Sequence, residues 1–443
     1  MPDPSIDAVI VGAGVAGLAC AQSLVEAGLN VQVLEASDRV GGRLWTDYGI
    51  ARGAPVETGA LMVHGRRVVT QDWARQLGLG VRKLPVLQRT VFFQDHHASR
   101  FPWLALPFHP RFGLRSAIQA GWSIPRRMRR WEGPDVSMDE FFSRTRATPG
   151  ARSIATFLHA HINLGDPDQV GVRGTGEEEA LSTEGWLNHF QLKEGYSELV
   201  RRRAAPLASR IRLQAVVKSI RRRDTGVTVQ WGNGSTESTM DARVAVITLP
   251  LGVLKADAVE FDPPLPEAKR RAIQHLGFGA VMETILRLKG GNLVEKLGDS
   301  TMLWGCTSTS FDRPFAGIPG RPEILSAFTA AREAERRSSM GDVEVLDATR
   351  VELDSFLPSS VRIGEVEESL IRRWPRDPWI RGGYSFLPPD VTVAERRTLA
   401  EPVEGRLFFA GEATHYAGEA ATVHGAIETG YRAAGDVLSA LRG

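Results

Sequence analysis

The sequence predicts an α/β fold. One domain is built on a parallel sheet and assembled from separated stretches of chain, with a second, α+β domain interleaved. Three observations predict it. The N-terminus reads strand, glycine turn, helix, strand; the C-terminus reads strand, glycine turn, long helix; and short strands recur mid-chain between irregular, aromatic-rich stretches.

The first strand is the apolar run Ile6 to Val11. An alanine-rich helix follows to about Ala27, where Gly28-Leu29-Asn30 supplies helix-stop chemistry. Val31, Val33 and Leu34 form a second strand ending at Glu35, parallel to the first because a helix joins them. From about Leu84 to Pro134, Trp, Phe, Pro and Arg are frequent and no clean period emerges, and residues 173–180 (RGTGEEEA) read as a solvated loop. After Ile211 come short strands, IRLQAVVKSI and VTVQW, with RRRDTG as the turn, and Arg243 to Thr248 is another buried strand. Val345, Thr349, Leu353 and Phe356 repeat at helical spacing. Leu407 to Ala410 is the last strand and Gly411 the turn; Val423, Ile427, Tyr431, Ala434, Val437, Leu438 and Leu441 then mark one face of a long helix. The parallel-sheet domain is expected to recruit residues 1–80, 200–285 and 385–443, and the second domain 81–199 and 286–384.

With 443 residues, 42% hydrophobic and 24% charged, the chain has material for more than one domain. Its 54 basic and 52 acidic side chains leave a net charge of +2, which gives no global field for gripping nucleic acid. No apolar run approaches the roughly 18 residues of a membrane helix. The start, MPDPSIDAVIVGAG, lacks the basic n-region of a signal peptide. Cys20 and Cys306 make no disulfide framework. The expectation is a cytoplasmic protein without nucleic-acid or membrane partners and without a metal, in which Arg126-Arg127-Met128-Arg129-Arg130 is a basic run on a solvated helix.

Gly12-Ala13-Gly14-Val15-Ala16-Gly17 is a GxGxxG turn between strand and helix, the mark of a Rossmann-like unit. Gly12 permits the tight turn, Gly14 admits a pyrophosphate to the backbone, and Gly17 lets helix and strand pack closely. The helix N-terminus then presents unpaired N–H groups to the phosphates. Glu35, eighteen residues after Gly17, suits a carboxylate that accepts hydrogen bonds from a ribose. The next residues, Glu35-Ala36-Ser37-Asp38-Arg39-Val40-Gly41-Gly42-Arg43, add a glycine pair for close backbone passage and an arginine for phosphate.

With these motifs the chain resembles the flavin-containing amine oxidase family of polyamine oxidases, monoamine oxidases and flavin-dependent histone lysine demethylases. The resemblance continues through Glu57 to Gly65, Ala215-Val216-Val217, Thr248 to Lys255, Phe261 to Pro266, Arg373 to Trp379 with Gly383-Tyr384, Leu407 to Thr414, and Ala421 to Ala426. Only Leu84–Gly174 lacks such anchors. The resemblance implies FAD as cofactor, met by Gly12, Ala13, Gly14, Ala16, Gly17, Glu35, Ala36, Gly42, Arg43, Gly59, Ala60, Leu61, Met62, Val217, Gly411, Glu412, Thr422 and Val423. It implies hydride removal from the carbon beside a neutral amine onto flavin N5, giving an imine, with O2 or another acceptor taking the electrons. The substrate is then a small-molecule amine, the flavin carries the redox chemistry, and the protein positions. His64 falls at the substrate cavity, as an acid, a base or a hydrogen-bond donor; Trp374 and Tyr384 wall the flavin pocket or fill the core. The other tryptophans, among them Trp103, Trp122, Trp131, Trp186 and Trp304, fill the core or line a hydrophobic substrate pocket. His415 and His424 read as structural.

Three features depart from the family. Glu283 stands where a lysine is usual after Gly277-Phe278-Gly279. Either it is displaced and surface-facing, or its carboxylate lies beside the flavin to bind a cation or take a proton. The aromatic-cage positions fall on Arg396, read as a surface arginine, and Thr422. Met62 stands near the arginine that holds substrate carboxylates in L-amino acid oxidases, which disfavours amino acids. No coiled-coil insertion of the demethylase kind is present, and neither cysteine suits covalent flavin attachment. An amine oxidoreductase of specialised metabolism is the leading expectation. C–C desaturation or amide-like nitrogen oxidation on the same fold, a dehydrogenase using another acceptor, and a non-catalytic flavoprotein are the alternatives.

Overall fold

The computed structural model describes residues 6–84, 89–94, 97–100, 113–183, 188–234, 236–305 and 307–442, with backbone only at 92–94 and 97–100. Trp103, Trp186 and Cys306 lie outside the described residues. Four apolar residues in a row, Ala8–Val11, make a strand buried on both faces, and Val31–Leu34, Ile211–Arg212, Val244–Ile247 and Leu407–Phe409 join it in one sheet. All four pairings are parallel, and the order is 211–212, 31–34, 8–11, 244–247, 407–409. The two-residue period of a strand divides these side chains cleanly. Ala8, Ile10, Val31, Val33, Val244, Val246 and Phe408 face one core with the helices Val15–Glu26 and Val423–Arg442. Val9, Val11, Leu34, Ala245, Ile247, Leu407 and Phe409 face another, shared with Val217, Val229 and Trp231. Covered faces of this kind are what parallel sheets require.

A second sheet of seven strands runs Glu365–Arg373, Val281–Lys289, Glu323–Ala330, Thr309–Asp312, Met302–Trp304, Thr90–Gln94, His97–Arg100. Its pairings are antiparallel except for Met302–Trp304 beside Thr90–Gln94. Alternation sets its chemistry. Leu286 and Leu288 pack in a core with Leu353 and Phe356 of the helix Asp342–Phe356, whose Val345, Thr349, Leu353 and Phe356 are the buried face read from the sequence. Val281 and Glu283 point the other way, into a cavity.

Residues 173–180 are not a solvated loop: Val172–Leu181 is a helix. Its two glycines, unfavourable for an isolated helix, are where neighbours come closest. A Cβ on Gly174 would stand 2.4 Å from the Val391 carbonyl oxygen, and one on Gly176 2.6 Å from that of Met128. Tertiary packing overrides propensity here and turns Glu178 and Glu179 toward the cavity. Across 113–128, where no period was visible, three helical turns follow one another, Gly113–Ile118, a π-helical Gln119–Ser123, and Ile124–Met128.

Candidate active site

The turn after the first strand shows why its glycines are needed. Gly12 has φ +109°, a region L side chains avoid. A Cβ on Gly17 would stand 2.0 Å from the Gly12 carbonyl oxygen, whereas one on Gly14 would meet nothing within 4 Å. The space in front of Gly14 belongs to a cavity of about 970 Å³ that reaches from this turn to the seven-stranded sheet. Of the residues expected to meet a cofactor, Gly12, Gly14, Ala16, Glu35, Ala36, Gly42, Arg43, Gly59, Ala60, Leu61, Met62, Val217, Gly411, Glu412, Thr422 and Val423 line it. Ala13 and Gly17 do not. Ala13 is buried and its N–H donates to Glu35 Oε2 at 2.6 Å, while Gly17 sets the close approach of helix to turn. The Ser37 N–H donates to the other oxygen, Glu35 Oε1, at 2.9 Å, so the carboxyl is aimed from both sides. Burial pushes Glu35 up and these backbone donors pull against it.

Arg43 and Glu412 form the second fixed pair, Nη1 to Oε1 at 2.9 Å. Arg43 Nη1 also donates to the Gly383 carbonyl at 2.6 Å, and Glu412 Oε2 accepts from Ser385 Oγ at 2.6 Å and from the Ala421 N–H at 3.2 Å. Burial raises Glu412, but Arg43 and Ser385 outweigh it and the carboxyl stays below its ordinary range. Ala421, next to Thr422, is held at φ +60°, local strain of the kind that collects at functional sites.

Beyond the motif residues, the cavity is walled by aromatic groups. Trp374 donates Nε1–H to the Thr58 carbonyl at 2.9 Å, Tyr384 donates its hydroxyl to the Ile162 carbonyl, and Phe328 and Trp304 complete the wall. Burial pushes Tyr384 up, so its phenol keeps the proton. His64 has its ring open to the cavity yet surrounded by protein. Its Nδ1 lies 3.0 Å from His189 Nδ1, a contact that needs one donor and one acceptor. Enclosure first, then His189 and His424, hold His64 down to about 3, so it is neutral. His424 bonds Glu419 Oε2 at 2.9 Å and His415 bonds Glu428 Oε2 at 3.0 Å.

Glu283 is not surface-facing: its exposure is 0%, and it lines the cavity. Its Oε2 accepts from Ser326 Oγ at 3.0 Å, and its Oε1, buried, has no partner among the described residues. Asp312 stands opposite Ser326 in the strand register, on the same face. Glu283 is fully closed off, whereas Asp312 keeps part of its surface open to the cavity. Burial pushes Glu283 well above its ordinary range, aided by Asp312 and Glu57, and pushes Asp312 up to about 7. Arg396 corrects a second expectation. It is fully buried, lies outside the cavity lining, and pairs with Glu178 Oε1 at 2.5 Å and Ser385 Oγ at 2.6 Å. It therefore braces Ser385, the partner of Glu412.

Asp312, His189, Glu178 and Glu179 were missed from sequence. The period-2 signal of Thr309–Asp312 is only four residues long, and nothing local says which strand it meets.

The family model described as flavin containing amine oxidoreductase matches residues 15–438. Polyamine oxidase 4 of Oryza sativa subsp. japonica is 29% identical, over 97% of this chain and 88% of its own length. Lysine-specific histone demethylase 1B of Mus musculus is 27% identical over 97% of this chain, which spans 52% of that relative. Among solved structures, putrescine oxidase bound to putrescine superposes with TM-score 0.83 at 21% identity, covering 99% of this chain and 100% of that one. Cyclohexylamine oxidase from Brevibacterium oxydans IH-35A superposes with TM-score 0.80 at 22% identity, with the same coverage.

Proposed function

Because the chain belongs to the flavin-containing amine oxidoreductase family, we propose that it oxidises a primary or secondary amine at the cavity between the GxGxxG turn and the seven-stranded sheet, with dioxygen as the final acceptor. One observation carries the reading: a single cavity joins the cofactor motifs at one end to two carboxyls, buried Glu283 and half-buried Asp312, at the other. Bound FAD supplies the two-electron acceptor for the carbon beside the amine nitrogen. The residues fit that cofactor. Open space lies before Gly14, Glu35 is aimed as a ribose acceptor, and Arg43 would reach phosphate while held by Glu412.

The rest is the chain's own work. Trp374, Tyr384 and Phe328 exclude water and confine the substrate in a near-attack pose. A protonated amine entering this space meets Asp312, whose pKa of about 7 lets it take a proton near neutral pH and leave the amine neutral. Glu283, closed off in the cavity wall, keeps its proton because burial disfavours its charge. Neutral His64 offers a further polar contact.

Adding a panel of primary and secondary amines anaerobically to the flavin-loaded protein tests this. At least one should bleach the flavin; a panel that leaves it yellow sinks the reading. A second reading, a dehydrogenase using an acceptor other than oxygen, is favoured by the buried carboxyl of Glu283 where the family has lysine. It predicts that the bleached protein stays reduced in air and recovers with a soluble dye.

A further inference from the structure

The helical stretch from Gly113 to Met128 has two apolar faces where a soluble helix has one. Ser116, Ala120, Ile124 and Met128, four residues apart, are buried, and the last three join a core with Phe141, Ile154 and Ala155. On the other face Leu114, Ile118 and Trp122, again four apart, are 62%, 50% and 64% exposed. Single exposed apolar side chains are ordinary, but an aligned stripe marks an interaction site. Five exposed arginines, Arg115, Arg126, Arg127, Arg129 and Arg130, accompany it between residues 113 and 133, against one acid, Glu132. That is a concentrated positive patch in a chain whose whole charge is +2. The Arg126 guanidinium lies 5.5 Å from the Trp122 ring centroid, so charge borders the stripe directly. Ala120, Gly121, Pro125 and Arg129 of the same stretch line the cavity of the site.

An apolar stripe edged by arginine is the chemistry of a helix lying at the boundary of headgroups and acyl chains. We propose that this face docks on an anionic lipid surface. Leu114, Ile118 and Trp122 enter the boundary region, and Arg115, Arg126, Arg127 and Arg130 meet the lipid phosphates. The part of the cavity lined by Ala120 and Gly121 is thereby brought close to a surface where cationic amines concentrate. Among the described residues no helix is long and apolar enough to cross a membrane, so the association is peripheral. The exposed basic run expected from the sequence is present, the proposal departs from that expectation only in giving it a membrane partner, and it does not depend on the reaction assigned to the site.

Sedimentation of the flavin-loaded protein with vesicles tests it, using phosphatidylcholine alone and phosphatidylcholine mixed with phosphatidylserine. Binding to the mixed vesicles only, weakened by salt, is expected. The triple variant Arg126→Gln, Arg127→Gln, Arg130→Gln should partition about a hundredfold less, at roughly fivefold per charge. The triple variant Leu114→Gln, Ile118→Gln, Trp122→Gln should lose binding while keeping its flavin content. The proposal is overturned if the parent protein ignores mixed vesicles, or if either variant binds as the parent does. It is equally overturned if the apolar variant turns a dimer into a monomer and no vesicle binding is seen, which would make the face an interface between copies.

Discussion

Replacing Asp312 by Asn removes a titrating group and leaves the shape nearly unchanged. Burial pushes Asp312 from an ordinary 3.8 up to about 7. Between those values the folded chain keeps a proton that the unfolded chain has released. Its contribution is therefore full below 3.8 and is lost as pH rises through about 7. A shift of this size, at about 1.4 kcal/mol per unit, corresponds to about 4 kcal/mol. Because Asp312 keeps part of its surface open to the cavity, water there screens the charge and about 2 kcal/mol is the expected effect. Asn carries no such dependence. Urea unfolding of parent and Asp312→Asn at pH 5 and pH 8 should show the variant gaining about 1 kcal/mol on the parent across that interval, the remainder having been lost below pH 5. In turnover the same variant, unable to take the substrate's proton, should need a higher pH for half-maximal rate. A variant that loses stability equally at both pH values would refute the reasoning, since the effect of Asp312 would then not depend on its charge.

Arg43→Met leaves Glu412 buried without its cation and should cost about 3–5 kcal/mol, read as a lower thermal midpoint together with reduced flavin content. Gly17→Ala forces a Cβ to within 2.0 Å of the Gly12 carbonyl oxygen; flavin retention should fall sharply while far-UV circular dichroism stays near the parent's. Glu283→Lys places a cation in the wall of the cavity that a protonated amine enters. KM for the amine should rise about tenfold or more, with faster reoxidation in air, and unchanged kinetics would make the carboxyl incidental to turnover.

What could be read from the sequence was what local chemistry enforces. The GxGxxG turn, Glu35 eighteen residues on, the all-apolar strands and the helix bearing Val345, Thr349, Leu353 and Phe356 each follow from spacing along one segment. The GEEEA helix was misread because its glycines answer to the carbonyls of Val391 and Met128, which lie far away in sequence. Arg396 was misread for a related reason, since its burial depends on Glu178 reaching across from that helix. Asp312 became part of the site only through register, which sets it opposite Ser326, the residue that bonds Glu283. Glu283 itself was noticed by position, but whether it faced inward or outward was a matter of strand alternation in a sheet the sequence did not outline.

The most direct measurement is the product of one anaerobic turnover, with flavin-loaded protein in excess over an amine that bleaches it. Amine oxidation predicts one imine-derived carbonyl compound and one released amine or ammonia per flavin reduced. A product that keeps its nitrogen and gains a carbon–carbon double bond would contradict the account.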